Sequence, residues 1–222
     1  MSKRIKHVPA PRPEEGGTDF ARIVFFSDAV FAIAITLLAL EIKVPVLAPE
    51  RLHADLPLAI LGLLPQILIY AQTFVLIGIY WQSHHRMFRA IIRYDQTLLW
   101  LNTLYLLCVA FIPVPSATLE HYSNQPSAIA FYSLCLALTS VVSLIMWGYA
   151  TRRHRLVTAD LAVSSIQYIF RRGGVTITVA LLAGAAAYVH IALAFGLWLL
   201  FLLAVVPFGR LYNRLLNGSH MK

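Results

Sequence analysis

Residues 25–42 read FFSDAVFAIAITLLALEI. The run is almost wholly apolar. As a helix it is about 27 Å long, enough to cross the hydrocarbon core of a bilayer. Asp28 sits near its start. A carboxylate at mid-membrane costs about 2.5–3.5 kcal/mol, so this one needs a partner or a task. On a helical wheel Phe26, Val30, Ile33, Leu37, Leu40 and Val44 fall on one narrow stripe. Asp28, Phe31, Ile35, Leu38 and Ile42 fall opposite. Thr36 and Ala29 flank the stripe. Ala32, Ala34 and Ala39 occupy the shoulders, where small side chains let helices approach closely. A single-pass anchor has no use for a smooth face opposed to an acid-bearing one.

The surrounding composition agrees. The chain has 222 residues, 59% hydrophobic and 13% charged, with mean hydropathy +0.71. These values predict an all-α membrane protein and leave no room for a separate soluble domain. Six transmembrane helices are expected, at about 21–44, 58–82, 96–115, 127–150, 172–189 and 191–208. Residues 173–208 are nearly continuous and apolar, about 54 Å as one helix, too long for one crossing. Tyr188 and His190 are the expected turn. Residues 1–19 are polar and rich in Pro and Gly, and are expected to be a disordered cytoplasmic leader rather than a signal peptide. Residues 20–209 form the six-helix membrane domain and 210–222 a short cytoplasmic tail. The terminal GSHMK resembles a cloning remnant.

The net charge of +8 is carried in short segments between apolar runs. That is the distribution of cytoplasmic loops, not of a nucleic-acid surface. Arg86, Arg89 and Arg93 follow the second span, Arg152, Arg153 and Arg155 follow the fourth, and Arg171 and Arg172 precede the fifth. The intervening loops are poor in Lys and Arg. The positive-inside rule then places the N- and C-termini in the cytoplasm. There is no two-half internal repeat, so an axis through the first helix must come from several copies of the chain.

This topology brings polar residues of three helices to one level. Arg22, Ser27 and Asp28 lie on the first, His84 and His85 at the end of the second, and Asn102 near the start of the third. They are expected to form a structural polar network around Asp28, with proton sensing through a histidine as the functional variant. Glu41 and Lys43 close the first span, with Pro45 stopping the helix; Glu41 near an outer mouth would raise local cation concentration. Pro113 and Pro115 are expected to end the third span. The adjacent His84 and His85 point about 100° apart, and no CxxC or carboxylate cluster supports a metal site. Cys108 and Cys135 lie in apolar runs as small core residues. No GxSxG, HExxH or P-loop suggests an enzyme.

Arg22 with FSDAVFAIAITLLALEIKVP, then WQSHHRMF in the second span and LWLNTLYLLCVAFIPVPS in the third, resembles the potassium channels of the transmembrane protein 175 family, in its bacterial branch. The one departure is Ala29, where glycine is expected. The resemblance implies a homotetramer in a bacterial inner membrane, with first helices lining a pore on the oligomer axis. It also implies a pore without the carbonyl filter TVGYG, which the sequence lacks. The pore constriction and selectivity carry over to Ile33, Leu37 and Leu40, with Thr36 beside them. The implied function is passive conduction of potassium ions with no cofactor. The alternative is a proton-coupled secondary transporter using Asp28 with His84 or His85.

Overall fold

In the computed structural model residues 13–218 are described, with side chains from 20 to 204 except Arg51. Among the described residues the named elements are all helices, joined by short connections. α1 spans Pro13–Leu38, with a 3-10 turn at Ala39–Glu41. α2 (Leu52–Gly62) and α3 (Leu64–Ala90) form one bent rod, as do α4 (Gln96–Phe111) and α5 (Pro113–His121). α6 (Pro126–Thr151), α7 (Val163–Ala186) and α8 (Ile191–Gly218) complete the bundle. Five rods are long and apolar enough to cross a membrane. The sixth, α8, has the shorter apolar stretch Ile191–Ala204 among the described residues. α1 begins inside the segment expected to be a disordered leader, and α8 continues past 209 into the expected tail. Residues 1–12 and 219–222 lie outside the described residues.

Several boundaries differ from expectation for identifiable reasons. The backbone leaves the helix at Ile42 (ψ 110°), before Pro45 is reached. Leu40 therefore sits on the tighter final turn, and Val44 lies beyond the helix, where the wheel no longer applies. Pro113 and Pro115 do not end the third rod. They fall in the first turn of α5, where a missing N–H costs little, and Ile112 serves as the hinge. The helix closing the second span continues to Ala90, so half of the basic loop is helical. The turn between α7 and α8 falls at 187–190 as expected, and the His190 ring Nδ1 accepts the Ala192 amide at 3.2 Å.

α6 is the central post. More than half of its most apolar window is buried (56%), against 22% for α1. Trp147, Tyr132, Tyr105 and Trp198 fill the core around it. α7 packs closely on it at two glycines. A Cβ on Gly184 would stand 3.3 Å from Ser133 Cβ and 3.6 Å from Ala130 Cα. A Cβ on Gly173 would clash with Leu144.

At the end of the bundle rich in arginine, two connections are tied together. Ile91 pairs with Val157, and the Ile92 amide donates to Leu156 O at 2.9 Å. Asp95 caps α4 by accepting from the Leu98 amide (2.9 Å). Its other oxygen accepts from the Tyr149 hydroxyl (2.6 Å) and the Arg155 guanidinium (3.1 Å). Burial works to raise the Asp95 pKa, but the Tyr149 hydroxyl, the backbone amides and Arg155 together overcome it and hold the carboxyl below its ordinary 3.8.

Two outcomes follow. Gly184→Val forces overpacking between α6 and α7, a cost of about 1–3 kcal/mol. It should lower the melting temperature of the purified protein, and an unchanged melting curve would show that the contact yields. Because the Asp95 carboxyl is depressed in the fold, its contribution is complete above the ordinary value and is lost as pH falls through the lower, folded one. The stability gap between wild type and Asp95→Asn should therefore be full at neutral pH and close only under acid. A gap that is constant with pH would remove the charge from the account.

Candidate conduction surface on the first helix

α1 packs against the rest of the chain with one face. Ser27, Phe31, Ala34 and Leu38 are buried at i, i+4, i+7 and i+11, and Phe31 packs against Tyr105. The opposite arc is uncovered: Ile33 is 58% exposed, Leu37 42% and Leu40 74%. Phe26, Ala29, Ala32, Thr36 and Ala39 are exposed as well, while Val30 is half-buried. The three alanine shoulders therefore part company. Ala34 turns inward, whereas Ala32 and Ala39 extend the uncovered arc beside Thr36. The Thr36 hydroxyl donates to Ile33 O at 2.9 Å, which leaves oxygen lone pairs free to accept.

The polar residues expected in one network around Asp28 form two groups. In the first, the Ser27 hydroxyl donates to Ile23 O at 2.9 Å. Its oxygen then accepts from Asn102 Nδ2 at 3.1 Å. That turns Asn102 Oδ1 to His84, whose Nε2 donates to it at 2.9 Å. His84 is fully buried and stacked on Phe88 (4.2 Å) and Tyr105 (5.8 Å). Its Nδ1 has no hydrogen-bond partner. In the second group, Asp28 Oδ1 accepts from the Trp81 indole at 2.8 Å, and His85 stacks on that indole at 5.7 Å. Asp28 therefore has a donor incapable of carrying charge, not His84 or Asn102. Arg22 is exposed and, with Phe26, Tyr94, Asn102 and Thr103, lines a groove of about 510 Å³. Sequence reasoning missed Trp81 as the partner of Asp28. The signal was available: Trp81 and His84 lie three residues apart, on one face of α3.

At the other end of α1, Glu41 lies near Glu120, a residue not singled out from sequence. Glu120 is 8% exposed, and neither of its carboxylate oxygens makes a hydrogen bond of good geometry; the Ser116 hydroxyl and Glu41 are among the groups acting on it. The Lys43 ammonium turns away, donating to His121 Nε2 at 3.5 Å. Among the described residues no group of three His, Cys, Asp or Glu is arranged to hold a metal.

The arrangement is matched among known proteins. The family described as "Endosomal/lysosomal potassium channel TMEM175" matches residues 22–113, from α1 to the start of α5. A potassium channel of Streptomyces collinus is 38% identical over 61% of this chain and 66% of its own length. One of Chamaesiphon minutus is 36% identical over 68% of this chain and 73% of its own. A crystal structure titled as a lysosomal potassium-selective channel TMEM175 homolog from Chamaesiphon minutus superposes with TM-score 0.71, at 32% identity, over 85% of this chain and 95% of that one. These relatives are named as channels, not as enzymes or transporters. With its first-helix signature, its helix order and more than a third of its aligned residues shared across nearly three quarters of the Chamaesiphon protein, the chain belongs to the TMEM175 family of channels.

Proposed function

We propose that this chain is a potassium-selective channel that conducts passively through a homotetramer, with the uncovered stripe of α1 facing the axis. The observation that carries this is the asymmetry of α1: one face is fully buried, and the apolar face opposite is left bare at Ile33, Leu37 and Leu40. Four such stripes converge on a narrow, greasy passage, with the small flank of Ala29, Ala32, Thr36 and Ala39 allowing neighbouring helices to approach. The relatives' names as potassium channels support the same reading.

Ile33 then makes the tightest ring, with Leu37 and Leu40 stacked beyond it. An ion crossing sheds part of its water. Potassium holds water less tightly than sodium, so its penalty is smaller. Thr36, whose proton is committed to Ile33 O, offers its oxygen where that water is lost. The same rings close by dewetting, which makes the constriction the gate as well. The Ser27–Asn102–His84 chain and the Asp28–Trp81 bond serve to hold α1 at a fixed rotation against α3 and α4. Glu41 concentrates cations at the outer mouth. By the positive-inside rule the arginine-rich end and both termini face the cytoplasm, in a bacterial inner membrane. Residues 20–209 constitute the channel domain, flanked by cytoplasmic segments 1–19 and 210–222.

Purified protein in a planar bilayer, under potassium/sodium bi-ionic conditions, tests this. Wild type should set a reversal potential favouring potassium, with flux indifferent to an imposed proton gradient. Ile33→Ala and Ile33→Asn should raise current and move the reversal potential toward zero. A reversal potential unmoved by both would remove Ile33 from the constriction, and potassium flux driven by a proton gradient would replace the channel with a transporter.

A further inference from the structure

A second polar site lies away from α1, between the end of α3 and the first turns of α7. Arg86 and Arg172 converge there on one tyrosine. Arg86 Nη1 donates to the Tyr168 hydroxyl at 3.2 Å and Arg172 Nη1 at 3.0 Å. Each guanidinium carbon also stands 5.7 Å from the Tyr168 ring centroid. Two like charges thus share one neutral acceptor. Among the described residues neither arginine makes an ion pair, and Arg86 has only a weak further acceptor in Gln82 (3.4 Å). Holding two cations this close without a counter-charge is unfavourable, and an anion reverses the sign of that interaction.

The surroundings specify what kind of anion. A groove of about 430 Å³ opens beside this pair. Arg86, Arg89, Ser165 and Tyr168 supply its polar wall, while Leu161 and Ile169 belong to its apolar one. Its position matters as much. The apolar run of α7 begins directly after Arg172, at 173–186, so the site straddles the boundary between hydrocarbon and water at the arginine-rich end. Forked guanidinium donors suit phosphate oxygens, and a basic recess between membrane helices is where an anionic headgroup docks. We infer that this groove binds the phosphate of an anionic phospholipid, with Arg86, Arg89 and Arg172 around the phosphodiester and the acyl chains lying along α7. Free phosphate shares the headgroup chemistry but gains nothing from the apolar wall, and the bilayer presents lipid at the site continuously.

Native mass spectrometry of the full chain in detergent tests this, with dioleoyl phosphatidylglycerol, dioleoyl phosphatidylcholine and inorganic phosphate as probes. Phosphatidylglycerol should be retained in preference to phosphatidylcholine, and millimolar phosphate should not displace it. Each arginine removed should weaken retention by about fivefold, so R86Q/R172Q should lose most of it. R152Q/R153Q, at the same end but outside the groove, should retain lipid as wild type does. If R86Q/R172Q does not fold, R86K/R172K keeps the charge but not the fork and should still bind several-fold more weakly. Wild-type retention in either groove variant, equal retention of phosphatidylcholine, or displacement by phosphate overturns the inference.

Discussion

α1 is held to the rest of the chain on one side only, and the direction of its other face follows from how that side is held. Its buried face combines apolar contacts at Phe31, Ala34 and Leu38 with a directional polar contact at Ser27. Apolar packing alone tolerates a helix rotating or sliding, because lipid tails are as greasy as leucine and offer nearly the same contacts. A hydrogen bond does not tolerate it. The order Ile23 O, Ser27, Asn102, His84 is linked by a hydrogen bond at every step, so a rotation of α1 breaks the run. The rotation of α1, and hence the direction in which Ile33, Leu37 and Leu40 point, is set by groups about two to four turns away from them.

This also accounts for the separation of the two polar groups. Ser27 and Asp28 are adjacent on α1, so their side chains diverge by about 100° and meet different neighbours. Ser27 turns inward to Asn102, in an enclosed aromatic setting. Asp28 turns to the margin, where Trp81 offers an indole N–H. Both residues are anchored against α3, directly at Asp28 and through Asn102 and His84 at Ser27. A helix gripped at two angles is braced against twisting in a way that either bond alone would not achieve. The grip lies near the arginine-rich end, while the other end of α1 closes in a tighter 3-10 turn that contains Glu41, near Glu120.

The bends in the rods have a similar economy. Ile112 and Leu63 interrupt what would otherwise be single long helices, and in both cases proline stands at the start of the following segment. Proline there removes no hydrogen bond that the new helix needs, so a change of direction is obtained without an unsatisfied amide in the membrane. At the arginine-rich end the same problem is met by pairing: Asp95, Tyr149, Arg155 and the Ile91–Val157 bridge satisfy backbone and charge together.

Much of this was legible in the order of residues. Hydropathy alone determined an all-helical membrane protein: of the two backbone arrangements that satisfy amides in lipid, the helix and the closed barrel, only the helix fits continuous apolar runs of about twenty residues. The period of the first helix separated the Ile33–Leu37–Leu40 stripe from the Phe31–Leu38 face, and local composition placed the turn at 187–190. Tertiary structure alone decided which partner each polar group took. Spacing along one helix assigns a direction and a depth, but the choice of Trp81 for Asp28 and Asn102 for His84 depends on the rotation of α3 and α4 about their own axes. It also decided that Pro113 begins a helix instead of ending one, and that Arg86 and Arg172, 86 residues apart in the chain, meet on Tyr168. Such pairings are set by how whole helices settle against one another, and local sequence does not encode that settling.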